Sequence, residues 1–206
     1  MKKVIRFFAI AAIACGMTMA VSCKDDNEGE GGGNGGNDNG PAVLLDEAFE
    51  SGIPADWTNI DADGDEYAWE ITSDVYGQAS GVDGSEAACS RSYVNSLGAL
   101  TPDNYLVTPE LEFAGEYTLT YQVNAQDAEW PEEHYAVMVG TVANGAFTPT
   151  ATVFEETLTA SKAQGAWLSR SISLKDYKGQ KLSVAFRHYN CTDMFVMNLD
   201  NVKVAK

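Results

Sequence analysis

Basic side chains, histidine and helical periodicity are all scarce in this chain of 206 residues. Thirteen Lys and Arg face thirty Asp and Glu, a formal net charge of −17. A surface of that sign repels nucleic-acid phosphates and anionic lipid headgroups, which excludes both as direct partners, and it attracts cations. Histidine occurs twice, as His134 and His188, and neither stands in an HExxH spacing. A zinc site would need further nitrogen or sulfur donors at hand, so both read as packed structural residues near strand ends, beside Tyr135 and Tyr189. Of four cysteines, only Cys89 and Cys191 lie beyond the N-terminal segment. An exported chain can join two such cysteines, but nothing in their spacing favours it, and each is equally a small buried apolar residue. Ser90 and Ser92 flank Arg91 without a GxSxG elbow, and neither cysteine has a papain-like or caspase-like context. The expectation is a protein that is not an enzyme.

The N-terminus is informative. Lys2, Lys3 and Arg6 precede an apolar run from Phe7 to Ala20, and Ala20-Val21-Ser22 then leads into Cys23. This is the layout of a secretory signal peptide, too short and wrongly flanked for a transmembrane span. The cysteine at the cleavage point resembles a bacterial lipobox, with Cys15 a weaker candidate for the same role. Lys24-Asp25-Asp26 resembles the surface-export signal of Bacteroidetes lipoproteins. The alternative is a plain secreted protein in which Cys23 is incidental. Residues 1–22 are thus expected as a lipoprotein signal peptide, and 23–40 as a lipidated Cys23 followed by a Gly/Asn/Asp linker. That linker holds nothing able to bury apolar surface, and Asp26 to Gly40 would span about 20 Å as a flexible tether. The implied location is the outer membrane, as a cell-surface-exposed lipoprotein.

Residues 41–206 fit one domain with a core large enough to fold without staples. No window there places apolar residues at helical spacing over several turns; alternation is the rule. Tyr117, Leu119, Tyr121 and Val123 oppose Thr118, Thr120 and Gln122. Tyr135, Val137 and Val139 repeat the pattern, as do Leu182, Val184 and Phe186, then Phe195, Met197 and Leu199. Strands are expected near 43–49, 67–72, 87–94, 104–113, 116–125, 134–141, 151–158, 167–174, 181–189 and 194–204, with Gly, Pro, Asn and Asp between them. One short turn of helix is a minor expectation at 160–165. The fold class is all-β, a two-sheet jelly-roll β-sandwich forming a single domain behind a signal peptide and flexible linker.

Several runs in the domain carry a family resemblance. Phe49-Glu50, Trp57 and Asp61-Ala62-Asp63-Gly64-Asp65 open it, and the run LTPDNYLVTP (100–109) follows. Glu133-His134-Tyr135-Ala136-Val137, the run from Val184 to Asp193, and Leu199-Asp200-Asn201-Val202 complete the order. Nearly all of 44–204 resembles the cleaved-adhesin domains, the haemagglutinin/adhesin modules that follow the protease domain in gingipains. The resemblance implies a jelly-roll sandwich with bound calcium and a non-catalytic role in adhesion. Those modules occur in tandem within a polyprotein, whereas this chain holds one copy.

Two carboxylate groups are candidate calcium ligands. Asp61, Asp63 and Asp65 alternate with Ala62 and Gly64, so three carboxylates can turn onto one centre; calcium takes six to eight oxygens at about 2.3–2.6 Å. The run is not an EF-hand, since position twelve is Thr72 rather than Glu. By pattern alone an Asp/Gly surface loop is the favoured reading; the resemblance turns it towards metal. Glu50 and Asp200 lie near the two terminal strands, which often pair in a sandwich, and the resemblance raises this pair too; the alternative is a pair of exposed strand-end carboxylates. Trp57 and Trp69 occupy core positions. Trp130-Pro131 lies in an acidic loop, where a rigid aromatic can stack on a sugar or anchor a protein, or else fold back onto the sandwich. Tyr76 and Tyr93 come next as ligand contacts. The expected function is a calcium-stabilised surface adhesin capturing a host protein or glycan; the alternative is an accessory glycan-binding lipoprotein of a nutrient-uptake system.

Overall fold

A computed structural model describes residues 40–159 and 166–206. The expected signal peptide, Cys23, the linker up to residue 39 and the helical turn at 160–165 lie outside the described residues. The strands are β1 (Val43–Glu47), β2 (Thr58–Asp61), β3 (Glu70–Ile71), β4 (Ala88–Arg91), β5 (Tyr93–Val94), β6 (Gly98–Ala99) and β7 (Asp103–Val107). After them come β8 (Leu111–Glu112), β9 (Thr118–Ala125), β10 (His134–Ala143), β11 (Ala146–Thr157), β12 (Leu168–Ser173), β13 (Lys181–Tyr189) and β14 (Val196–Ala205). One sheet runs β12-β9-β14-β4-β3 with β1 added on β14; the other runs β11-β10-β13-β7-β2 with β8 added on β13. These ladders are antiparallel, and the two sheets make the jelly-roll sandwich.

Alternation builds the core. In β9 and the residue before it, Tyr117, Leu119, Tyr121 and Val123 are buried, and they meet Tyr135, Val137, Val184 and Phe186 from the facing sheet. Each large side chain of this kind contributes roughly 1.5–3 kcal/mol by leaving water. The Tyr121 and Tyr135 hydroxyls sit 2.9 Å apart, and Tyr135 donates to Glu156 Oε1 at 2.7 Å, so the buried phenols are satisfied. The reverse face of the second sheet holds a smaller cluster of Val107, Ala136, Met138 and Ala185, flanked by Tyr105, Phe147 and Tyr189.

Each sheet has a central strand flanked along one edge by two short strands in succession. On β14, β1 pairs residues 202–205 and β4 pairs 196–199. Between them the chain bulges at Asp200 and Asn201, where the register against β9 shifts and Asn201 takes φ 51°. On β13, β7 and β8 are separated by Thr108 to Glu110. The single strand expected over 104–113 therefore breaks, because Pro109 has no N–H to give the ladder. Thr108 makes the last bonds of this ladder: its N donates to Val184 O at 2.8 Å, and its Oγ1 accepts from Val184 N at 2.9 Å.

Other differences are local. The strand expected at 67–72 is only β3, and a short helix, α1 (Thr72–Tyr76), follows it. β2 is an unexpected strand leading into the Asp61 loop. β11 starts at Ala146, because Asn144 and Gly145, at φ 52° and 75°, make a tight hairpin turn with β10. Pro149 is tolerated within β11, an edge strand.

Candidate functional site: the Trp130 cleft and the carboxylate clusters

Three segments meet at one end of the sandwich: β5, the β9–β10 loop (126–133) and the β13–β14 loop (190–195). Between them lies a cleft of about 470 Å³ in which Trp130, Tyr93, Met194 and Phe195 supply apolar surface, and Asn95, Asp127 and Asp193 supply polar groups. Trp130 is 55% exposed, so it does not fold back into the core. Its loop is held from both ends. Gln126 N donates to Val196 O at 2.9 Å, Asp127 Oδ1 accepts from Glu129 N at 2.8 Å, and Pro131 is buried. Tyr76 packs beside Phe195 at 6.4 Å and is tied below by donating to Asn198 Oδ1 at 3.2 Å. Tyr93, which lines the cleft itself, is the better-placed contact of the two. Trp57 and Trp69 are core residues as expected, 7% and 2% exposed.

The Trp130 loop ends on Glu133, which is fully buried. The Glu133 carboxylate makes no exposed surface ion pair among the described residues. Instead its Oε1 accepts from Ser92 Oγ at 2.8 Å and Phe195 N at 2.9 Å, and its Oε2 lies 3.0 Å from His188 Nε2. Burial favours the neutral form of His188, but its hydrogen bonds to Cys191 and Glu133 prevail and raise its pKa. His134 is a different case, at the surface, with its ring nitrogens on Thr157 Oγ1 and Glu155 Oε1. Arg187 pairs with Asp103 through two bonds of 2.6 and 2.8 Å. Cys89 and Cys191 are not joined.

Of the predicted calcium ligands, Asp61, Asp63 and Asp65 are brought together, one oxygen of each lying within 4.8 Å of the others. Backbone amides already serve the group. Asp61 accepts from Gly64 N at 2.7 Å and Glu66 N at 2.8 Å, Asp63 from Asp103 N at 3.1 Å, and Asp65 Oδ1 from Tyr67 N at 2.8 Å. Asp65 Oδ2 is buried without a partner. Desolvation pushes the Asp61 pKa upward, yet the amides of Glu66 and Gly64 hold it below the usual value. Asp63 moves the other way, raised by partial burial and then by the charges of Asp65 and Asp61, against the lowering effect of Asp103 N–H.

The second pair is less open. β1 and β14 do lie together, and Asp200 sits at their junction, completely buried, while Glu50 is exposed. Asp200 Oδ2 accepts from Val82 N at 2.8 Å and Oδ1 from Asn201 N at 2.6 Å. Burial raises its pKa and the nearby Glu50 charge adds to the rise. Both Asp200 oxygens thus have amide donors.

Sequence reasoning passed over Asn95, Asp127, Asp193 and Met194. Asp193 and Met194 stood within a run quoted for its resemblance, and nothing local marks them as cleft-lining. Only pairing of β14 with β4 and β9 sets their loop beside Trp130.

Fold and cleft together define a two-sheet β-sandwich domain with an aromatic-lined surface cleft. The profile of the Cleaved Adhesin Domain matches residues 42–204, and the chain belongs to that family. It is 42% identical over 181 residues to Hemagglutinin A of Porphyromonas gingivalis, an alignment covering 82% of this chain and 7% of that protein. Against Lys-gingipain W83 of the same organism it is 43% identical over 176 residues, covering 79% of this chain and 10% of the relative. The chain thus spans a small part of the relatives it matches. Among solved structures, the K1 cleaved adhesin domain of Lys-gingipain from P. gingivalis W83 superposes with a TM-score of 0.68 at 41% identity, over 78% of this chain and 96% of that domain. TmCBM61, solved with β-1,4-galactotriose, shares the fold at a TM-score of 0.53 and 14% identity, over 78% of this chain and 94% of its own.

Proposed function

We propose that this chain is a non-catalytic adhesin module that captures a glycan in the Trp130 cleft, displayed on the outer surface of a bacterial outer membrane by a lipid on Cys23. The observation that carries this reading is Trp130 itself, 55% exposed on an anchored loop, beside Tyr93 and the acceptors Asp127 and Asp193. Sugar rings offer apolar faces to aromatics and hydroxyl donors to carboxylates and amides, and a concave site with few polar groups suits them. A glycan array with the wild type and Trp130→Ala tests it: a hit lost in the variant supports the reading. The acidic rim supports a second reading, a basic host protein as ligand. In that case no glycan binds, and association with the protein slows steeply as salt rises. An accessory role in nutrient uptake is the alternative use of the same cleft, and binding to dietary rather than host glycans distinguishes it.

We also propose calcium as a structural cofactor. The Asp61, Asp63 and Asp65 group suits it better than Glu50 and Asp200. It gathers three hard oxygen donors, and the orphaned Asp65 Oδ2 gains a partner when a cation binds. Surface display rests on the N-terminal motif. Cys23→Ala is expected to abolish lipidation and release or mislocalise the chain. Replacing Lys24-Asp25-Asp26 by alanines is expected to keep the lipid and protect the protein from protease applied to intact cells; continued shaving would refute the export signal.

A further inference from the structure

The loop bearing Trp130 and the loop bearing Asp193 converge beneath the cleft on three donor atoms of different chemistry. Glu133 Oε2 and His188 Nε2 are 3.0 Å apart. Cys191 Sγ lies 3.1 Å from that nitrogen and 3.4 Å from that oxygen. Hydrogen bonds already join these atoms: the Cys191 thiol donates to Glu133 Oε2, and the His188 ring nitrogen lies on the same oxygen. A carboxylate oxygen, an imidazole nitrogen and a thiolate around one point are also the donors of a zinc-class ion.

Spacing and surroundings agree. Donors on a tetrahedral zinc at bond lengths of about 2.0–2.3 Å stand roughly 3.3–3.6 Å apart, so these three need spread only slightly. The atoms facing away from the centre are anchored. His188 Nδ1 lies 2.8 Å from Ser90 Oγ, and that hydroxyl also accepts from Asn104 Nδ2 at 3.0 Å. Glu133 Oε1 is held by Ser92 Oγ and Phe195 N. Such outer contacts orient ligands and fix the histidine tautomer. Glu133 and His188 are wholly buried, but Cys191 is part-exposed and borders a surface cleft of about 340 Å³ with Thr101, Pro102, Asn190 and Thr192. That cleft opens the Cys191 side of the triangle to solvent and would admit an ion.

We propose that Glu133, His188 and Cys191 form a zinc-class site with three protein ligands and one open position, pinning together the two loops that wall the Trp130 cleft. The soft thiolate sets it apart from the calcium-type Asp61 group. Its occupancy does not depend on what the cleft binds.

Cobalt(II), a spectroscopic stand-in for zinc, tests this on the full chain. The expected result is one ion per chain with a thiolate-to-cobalt charge-transfer band, bleached by one equivalent of zinc. Cys191→Ser should lose the band, and Glu133→Gln should keep it with affinity reduced at least about tenfold. Zinc should raise the melting temperature of the wild type and not of Cys191→Ser. Should a variant fail to fold, site-resolved alkylation of the wild type still decides, because zinc should shield Cys191 from iodoacetamide. The proposal fails if the wild type shows no thiolate band, or if the band survives in Cys191→Ser. It fails equally if zinc leaves Cys191 as reactive as before.

Discussion

Asp61, Asp63 and Asp65 lie within five residues of one another, whereas Glu133, His188 and Cys191 come together across 58. The first group is a surface loop served mostly by its own backbone amides, with Asp103 N on Asp63 and Asp65 Oδ2 left without a partner. The second is a buried knot tied by β4, β13 and two loops. A local cluster can gather charge almost without the fold, and its loss costs the fold little. A non-local one exists only because the sheets are correctly paired, so damage to it is felt throughout the domain.

The contrast can be broken most forcefully at Glu133. Glu133→Ala leaves His188, Ser92 Oγ and Phe195 N without their buried partner, and about 3–5 kcal/mol of stability should disappear in chemical denaturation. A loss below about 1 kcal/mol would mean that the buried knot is no more integral than the Asp loop.

Calcium comes next. Binding only to the native state stabilises it by about 2.7 kcal/mol at a hundredfold excess over Kd. Chelation should therefore lower the melting temperature by several degrees, magnesium should not substitute well, and Asp65→Asn should remove part of the shift. An unchanged melting temperature, with no calcium by elemental analysis, removes the metal from the Asp61 loop.

A smaller effect tests a polar contact intermediate between the two. Glu86 Oε2 accepts from Thr72 Oγ1 at 2.9 Å and Ser73 N at 3.2 Å, tying the loop before β4 to the start of α1. Desolvation raises its pKa, but the bonds from Ser73 and Thr72 outweigh this and lower it. A depressed folded pKa contributes stability present above the unfolded value and lost as pH falls through the folded one. The advantage of wild type over Glu86→Gln should thus be present at neutral pH and vanish on acidification below the ordinary glutamate range. A pH-independent difference would count against it.

The smallest change in stability is expected at the cleft. Trp130→Ala should move stability by no more than about 0.5 kcal/mol, as for an exposed side chain, while Trp69→Ala should cost about 3–5 kcal/mol. Equal costs would make Trp130 structural.

Alternation made the strands legible, because a half-buried strand must repeat every second residue; β9 follows it closely, whereas β13 is buried without a break from Leu182 to Phe186. It also placed Trp57 and Trp69 in the core and marked the Asp61 run, since three acids in five residues need no fold to meet. The breaks were less visible. Thr108 and Pro109 end β7 through a side-chain bond to β13 and a missing N–H, neither of which the apolar pattern shows, and α1 is too short to show a period. Adjacent residues carry their chemistry on the sequence: the aspartate run and the apolar alternation are both of this kind. Pairing decided the rest. Only the tertiary structure could bring Tyr93, Trp130 and Phe195 to one cleft, or turn Glu133, His188 and Cys191 onto one point, because those distances are set by strand register and not by spacing along the chain.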